Sequence, residues 1–168
     1  MIMNATVDFN VISLKQNLPY AHGEIGLSPV PKKSGAKILV VDDEPEVVKA
    51  LTMRLKSAGY EVITACDGAT ATQTAISTQP DLVILDIGMP CGDGHVVAKR
   101  LSNNVNTLFV PVIFLTARSS QIDRNQAMDA GAFDYITKPY TSDRLLTSVE
   151  RALSRTGDEQ FSEDMPAD

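Results

Sequence analysis

Three short apolar runs in this chain each end in a polar residue able to do chemistry. Ile38-Leu39-Val40-Val41 runs into Asp42-Asp43, Leu82-Val83-Ile84-Leu85 into Asp86, and Val112-Ile113-Phe114-Leu115 into Thr116. Continuous apolar runs rich in β-branched residues read as strands buried on both faces, the pattern of a parallel sheet. Open parallel sheets bind ligands beyond the carboxyl ends of their strands. Three carboxylates and a hydroxyl are therefore expected along one edge. A fourth candidate strand, Phe133 to Ile136, runs into Lys138-Pro139 and adds a cation to that edge.

Helical segments alternate with these runs. Glu44 to Ala58 has Pro45 in its first turn, an apolar stripe of Val48, Leu51 and Leu55, and Gly59 as its stop. Tyr60 to Thr64 is a strand of mixed polarity, Asp67-Gly68 opens a second helix, and Pro80 ends it at the latest. A third helix is expected over Asp93 to Ser102, after a loop from Ile87 to Gly92. A fourth covers Ser119 to Ala130, with a weak stripe of Ile122, Ala127 and Ala130 that makes it the readiest to move. The last helix, capped by Ser142 or Asp143, buries Leu145, Val149, Ala152 and Leu153. Five strands alternating with five helices predict a doubly wound α/β domain, flavodoxin-like, with parallel strand order 2-1-3-4-5. The all-apolar strands take the centre and the mixed ones the edges. Asp42, Asp43 and Asp86 then meet at the switch point between the first and third strands.

The 168 residues are divided into an irregular extension at 1–36, the α/β domain at 37–156 and an acidic tail at 157–168. Within the extension, Val7 to Leu18 is the stretch expected to hold a short ordered piece. The net charge of −6 is uneven. Residues 37–156 hold 14 acids against 12 bases, and the tail holds five acids and no base. No basic patch argues for nucleic acid. No apolar stretch approaches the ~20 residues of a membrane helix, and the first 14 residues lack the charge and apolar core of a secretory signal. Cys66 and Cys91 lack metal-ligand spacing, so a reducing, cytoplasmic setting is expected. His95 is expected on a helix surface.

Carboxylates crowded at one sheet edge repel one another by a few kcal/mol per close pair at an effective dielectric of ~20. A cation must neutralise them. Oxygen ligands with room for water suit Mg²⁺, and Lys138 with Thr116 completes a set able to hold a phosphoryl group. One of the carboxylates can itself act as nucleophile. Asp42-Asp43 alone reads as readily as a helix cap, but not with Asp86 and Lys138 beside it.

The chain resembles the receiver domains of two-component response regulators. Val40-Val41-Asp42-Asp43-Glu44, Leu85-Asp86-Ile87-Gly88-Met89-Pro90, Leu115-Thr116-Ala117 and Thr137-Lys138-Pro139 carry the resemblance. Asp43, Asp86, Thr116 and Lys138 follow one another at family-like separations of 43, 30 and 22 residues, and the likeness covers Lys37 to Arg155. It implies that Asp86 accepts a phosphoryl group from a phosphohistidine on a sensor histidine kinase or phosphotransfer protein. Asp42, Asp43, Asp86 and the Gly88 carbonyl would hold Mg²⁺. Lys138 would pair with Asp86 and then with the phosphoryl group. Thr116 and Tyr135 would form the switch, and the Lys138-Pro139 bond would be cis.

On this reading the chain catalyses its own phosphorylation and dephosphorylation without turning over a separate substrate. No output domain follows in this sequence, so the expected mode is a stand-alone receiver. It would signal through the surface of the fourth helix, fifth strand and fifth helix to a downstream protein, or relay phosphate. Direct nucleic-acid or membrane binding is not expected, and a homodimer is left open. The alternatives are a phosphate-independent binding module and a receiver fragment of a larger regulator. A haloacid-dehalogenase-type phosphatase wants a carboxylate two residues after its nucleophile, where this chain has Gly88. In the resembled family that position and the one two after Thr116, here Arg118, tune loss of the phosphoryl group. Gly88 with Arg118 implies a long-lived phosphorylated form.

Overall fold

The computed structural model describes residues 35–89 and 93–155. The extension up to residue 34, the loop residues 90–92 and the tail from 156 lie outside them, and with them the ordered piece expected at Val7 to Leu18. Five strands, β1 (Lys37–Val41), β2 (Glu61–Ala65), β3 (Leu82–Leu85), β4 (Val112–Thr116) and β5 (Asp134–Thr137), alternate with five helices. These are α1 (Pro45–Ser57), α2 (Gly68–Thr78), α3 (Gly94–Ser102), α4 (Gln121–Asp129) and α5 (Ser142–Arg155). The sheet is wholly parallel in the order β2-β1-β3-β4-β5. This is the flavodoxin-like arrangement expected, with β1, β3 and β4 central.

The central strands are buried along nearly their whole length because helices cover both sheet faces. Leu39, Val41, Val83, Leu85 and Phe114 pack on the face holding α2, α3 and α4. Ile38, Val40, Ile84, Ile113 and Leu115 pack on the face holding α1 and α5. The expected stripe of α5, Leu145, Val149, Ala152 and Leu153, is buried throughout.

Local chemistry sets the helix ends. Asp67 caps α2 by accepting from the amides of Ala69 and Thr70, Asp93 caps α3 through the amide of His95, and Ser120 caps α4 through that of Asp123. Gly59 and Gly131 follow α1 and α4 at φ +92° and +84°, a left-handed geometry natural to glycine.

Five expectations need correction. The last helix takes its cap from Thr141, whose hydroxyl accepts from the Arg144 amide at 3.3 Å, and not from Ser142 or Asp143. Strands β2 and β5 begin and end one residue later than read, because pairing of Val41 with Ala65 and of Thr116 with Thr137 carries each ladder past its apolar stretch. The expected fourth helix is shorter at both ends, since Ser120 and Ala130 are its caps. Ile122 is 70% exposed, so Ala127 alone anchors α4 in the core. His95 is not a surface residue: its ring lies 5.3 Å from that of Phe114, and both its nitrogens are buried without a hydrogen-bond partner among the described residues.

Candidate functional site

Strand register assembles the site. Val41 pairs with Leu85, so the residues that follow, Asp42 and Asp86, leave the sheet side by side at the join of β1 and β3. The amide of Asp86 donates to the Val41 carbonyl at 2.9 Å, holding the end of β3 against β1. Thr116 pairs with Thr137, and the Lys138 amide donates to the Thr116 carbonyl at 2.8 Å, which delivers Lys138 to the same edge. The following Lys138–Pro139 peptide bond is cis.

Asp42 and Asp86 are 2% and 7% exposed, and Asp43 beside them faces solvent. Asp42 Oδ1 accepts from the Glu44 amide at 2.9 Å and Oδ2 from Lys138 Nζ at 2.7 Å. Asp86 Oδ2 accepts from the Gly88 amide at 2.8 Å, while Oδ1 lies 3.8 Å from Lys138 Nζ. The ammonium thus hydrogen-bonds Asp42 directly and keeps the expected ion pair with Asp86 at the longer distance. Glu44 adds a third carboxylate at 3.7 Å. Burial works against the Lys138 charge, but the Asp42 hydrogen bond and the charges of Asp42, Asp86 and Glu44 outweigh it and raise its pKa. The ammonium stays protonated throughout the physiological range.

Three acidic side chains share this one ammonium, with Asp43 beside them, a donor set of oxygens with unbalanced negative charge. Among the described residues no three such side chains converge closely enough to cage a metal unaided. Oxygen donors of this kind suit Mg²⁺, which keeps several waters and takes one or two carboxylates. The residues fit the ion.

Thr116 lies at the end of β4, where its buried hydroxyl accepts from the Arg118 amide at 3.2 Å. Tyr135 is buried too, and its hydroxyl donates to the Arg118 carbonyl at 2.8 Å. Its ring stands 6.3 Å from Phe114, which in turn meets His95, so three aromatic rings run from β5 through β4 to α3. The Arg118 guanidinium pairs with Asp123 at 3.6 Å and is half exposed. Next to Tyr135, Asp134 receives Arg144 and Ser148 from α5 at 2.9 and 2.6 Å.

Sequence reasoning missed Gly94. A Cβ there would meet the Asp86 carbonyl oxygen at 2.3 Å and Ile87 Cα at 2.9 Å, so α3 starts directly against the backbone of the central carboxylate. The available signal was Asp93-Gly94, a cap followed by a glycine at the first helical position.

A parallel five-stranded sheet with an acidic switch point, a lysine after its last strand and a hydroxyl between them defines a receiver module. Residues 38–150 match the family model of the response regulator receiver domain, and the chain belongs to that family. The transcriptional regulatory protein KdpE of Mycobacterium tuberculosis is 45% identical over 118 residues, 70% of this chain and 51% of that protein. The chain thus spans about half the length of this relative. The chemotaxis protein CheY4 of Vibrio cholerae superposes with a TM-score of 0.68 at 32% identity, over 71% of this chain and all of that one. A sensor-kinase receiver domain from Pseudomonas aeruginosa, solved with magnesium in its active-site cleft, gives 0.67 at 32% identity, over 71% and 98%. Phosphorylation and Mg²⁺ binding are typical of the family. No helix among the described residues is long and apolar enough to cross a membrane.

Proposed function

We propose that residues 37–156 act as a phosphoryl-accepting signalling module with Asp86 as acceptor. The observation that carries this is the convergence of buried Asp42 and Asp86 on Lys138, from strand ends far apart in sequence. An Asp86 oxygen forms the new P–O bond while the P–N bond to a partner's phosphohistidine breaks, its electron pair returning to the imidazole. Asp42, Asp43, Asp86 and the Gly88 carbonyl are the groups that would hold Mg²⁺, which supplies charge neutralisation at the transferring phosphoryl oxygens. Lys138 lies within reach of both Asp42 and Asp86, so it can follow charge from the carboxylate to the phosphoryl group. Thr116 and Tyr135 flank the Arg118 backbone, which is where a phosphoryl-dependent change would pass to α4, β5 and α5.

The partner that donates is a sensor histidine kinase or a phosphotransfer protein in the cytoplasm. The partner that reads the state is a downstream protein, or the next carrier in a relay. The near-balanced charge of residues 37–156 favours proteins over nucleic acid.

The test is intact-mass analysis after incubation with acetyl phosphate, with and without Mg²⁺, on the wild type and Asp86→Asn. One Mg²⁺-dependent phosphoryl adduct, absent from the variant, is expected. No adduct on a folded protein that also fails to bind beryllofluoride would overturn the reading. Because Gly88 offers no side chain to orient an attacking water, the adduct should also outlive that of Gly88→Asn. Equal or shorter survival would remove the argument for a long-lived signal.

A further inference from the structure

The turn between α3 and β4 leaves two large apolar side chains in solvent, Val105 at 81% and Phe109 at 72% exposure. They are not scattered. Leu108 donates its amide to Asn104, and Val110 donates to Thr107, so the segment winds helically and residues four apart stand on one face. The face lies at the amino ends of the strands, opposite the phosphoryl site. Pro111, two residues beyond Phe109, accepts from the Val83 amide, and Asp81, two residues before Val83, exchanges hydrogen bonds with Lys37. Pro111 and the start of β1 therefore lie about two strand spacings apart, roughly 10 Å, and Phe109 stands two residues from Pro111.

Residues 1–34 enter the domain at this pole. They contain one concentrated apolar segment, Val7, Phe9, Val11, Ile12, Leu14 and Leu18. The 16 residues between Leu18 and Gly35 can span up to about 50 Å, well beyond what is needed. The tail after Arg155 is a poorer occupant: it is acidic, and α5 packs on the other sheet face with α1. Ile122 and Met128 on α4 are also exposed, but they belong to the helix flanking the phosphoryl site.

We propose that Val7–Leu18 docks on the Val105–Phe109 face, so that the extension is a built-in partner of the pole opposite the phosphoryl site. This assignment is independent of whether Asp86 takes phosphate.

The test is amide hydrogen exchange on the full chain, comparing wild type, Phe109→Ser and Phe9→Ser at two protein concentrations. Residues 7–18 should be protected in the wild type and exchange at least about tenfold faster in Phe109→Ser. Residues 103–110 should speed up in Phe9→Ser, with the central strands unchanged in both variants. Absence of protection at 7–18, or protection that survives Phe109→Ser, would overturn the proposal. Protection that vanishes on dilution would also overturn it, assigning the face to a second copy of the chain. Exchange of the central strands reports whether a variant folds. Should Phe109→Ser speed it, Val105→Ser takes its place under the same criteria.

Discussion

The hydroxyl of Tyr135 donates to the backbone carbonyl of Arg118 at 2.8 Å, joining β5 to the loop between β4 and α4 across 17 positions. The next hydrogen bond in that loop runs from the Arg118 amide to Thr116, so one peptide segment is held from both sides by the two residues expected to switch. Burial raises the pKa of the Tyr135 phenol, with the nearby charge of Asp123 acting in the same direction, so the group stays a donor through the physiological range. The loop before α4 is thereby tied to the edge strand β5 as well as to the central strand it leaves.

Removing that tie while keeping the ring isolates its contribution. Tyr135→Phe is expected to cost about 1 kcal/mol, the net value of one hydrogen bond. Exchange of the Arg118 to Ser120 amides should quicken while the sheet stays protected. Unchanged exchange there would mean that the packing of α4, not the phenol, holds the loop.

Lys138 gives a prediction at alkaline pH. Its folded pKa is raised above the ordinary 10.5, so its contribution to stability is complete below that value and fades as pH rises through the folded pKa. Lys138→Met leaves Asp42 buried beside Asp86 without its cation. A loss of about 1–3 kcal/mol is expected near neutrality, less than for a fully enclosed pair. Urea denaturation at several pH values should show a stability decline above about pH 10.5 that is smaller in the variant.

Asp134 works in the opposite direction. Burial pushes its carboxyl up, but hydrogen bonds from Ser148, Arg144 and the Tyr135 amide prevail and hold its pKa below the ordinary 3.8. Its contribution is present above the unfolded value and is lost as pH falls through the folded one. Asp134→Asn should cost about 1–2 kcal/mol at pH 7 and flatten acid unfolding below pH 4. An acid limb equal to that of the wild type would refute this assignment.

Gly94 should be intolerant of even one methyl group, since a Cβ would stand 2.3 Å from the Asp86 carbonyl oxygen. Gly94→Ala is expected to cost about 1–3 kcal/mol through overpacking. It should also slow phosphorylation of the folded fraction by acetyl phosphate, because the strain falls on the backbone of the proposed acceptor. Wild-type kinetics would show that α3 yields instead of Asp86.

Much of the arrangement was legible in the chain because β1, β3 and β4 are apolar without interruption, which only two covered faces permit. Asp42, Asp86 and Thr116 were legible for the same reason: each is the first polar residue past such a run. What escaped depended on close geometry. His95 and Val96 exchange the roles their polarity suggests, the imidazole lying against Phe114 while Val96 is half exposed. That follows from the rotation of a nine-residue helix whose start, Gly94, lies against the Asp86–Ile87 backbone just past β3. The nearer carboxylate for Lys138 was likewise decided by strand register and not by residue type. The edge strands ran one residue late because pairing, rather than hydrophobicity, ends them.

The bond between Lys138 and Asp42 spans 96 positions, from the first strand of the sheet to the turn beyond the last. In space it reaches across β3 and β4, so it depends on those strands and β5 standing in register. A molecule locally opened at the β5 edge would therefore keep Asp86 but lose the ammonium beside it. On the proposed function, competence to receive a signal would in this sense be a certificate of finished folding. A damaged molecule would fall silent rather than send a false message.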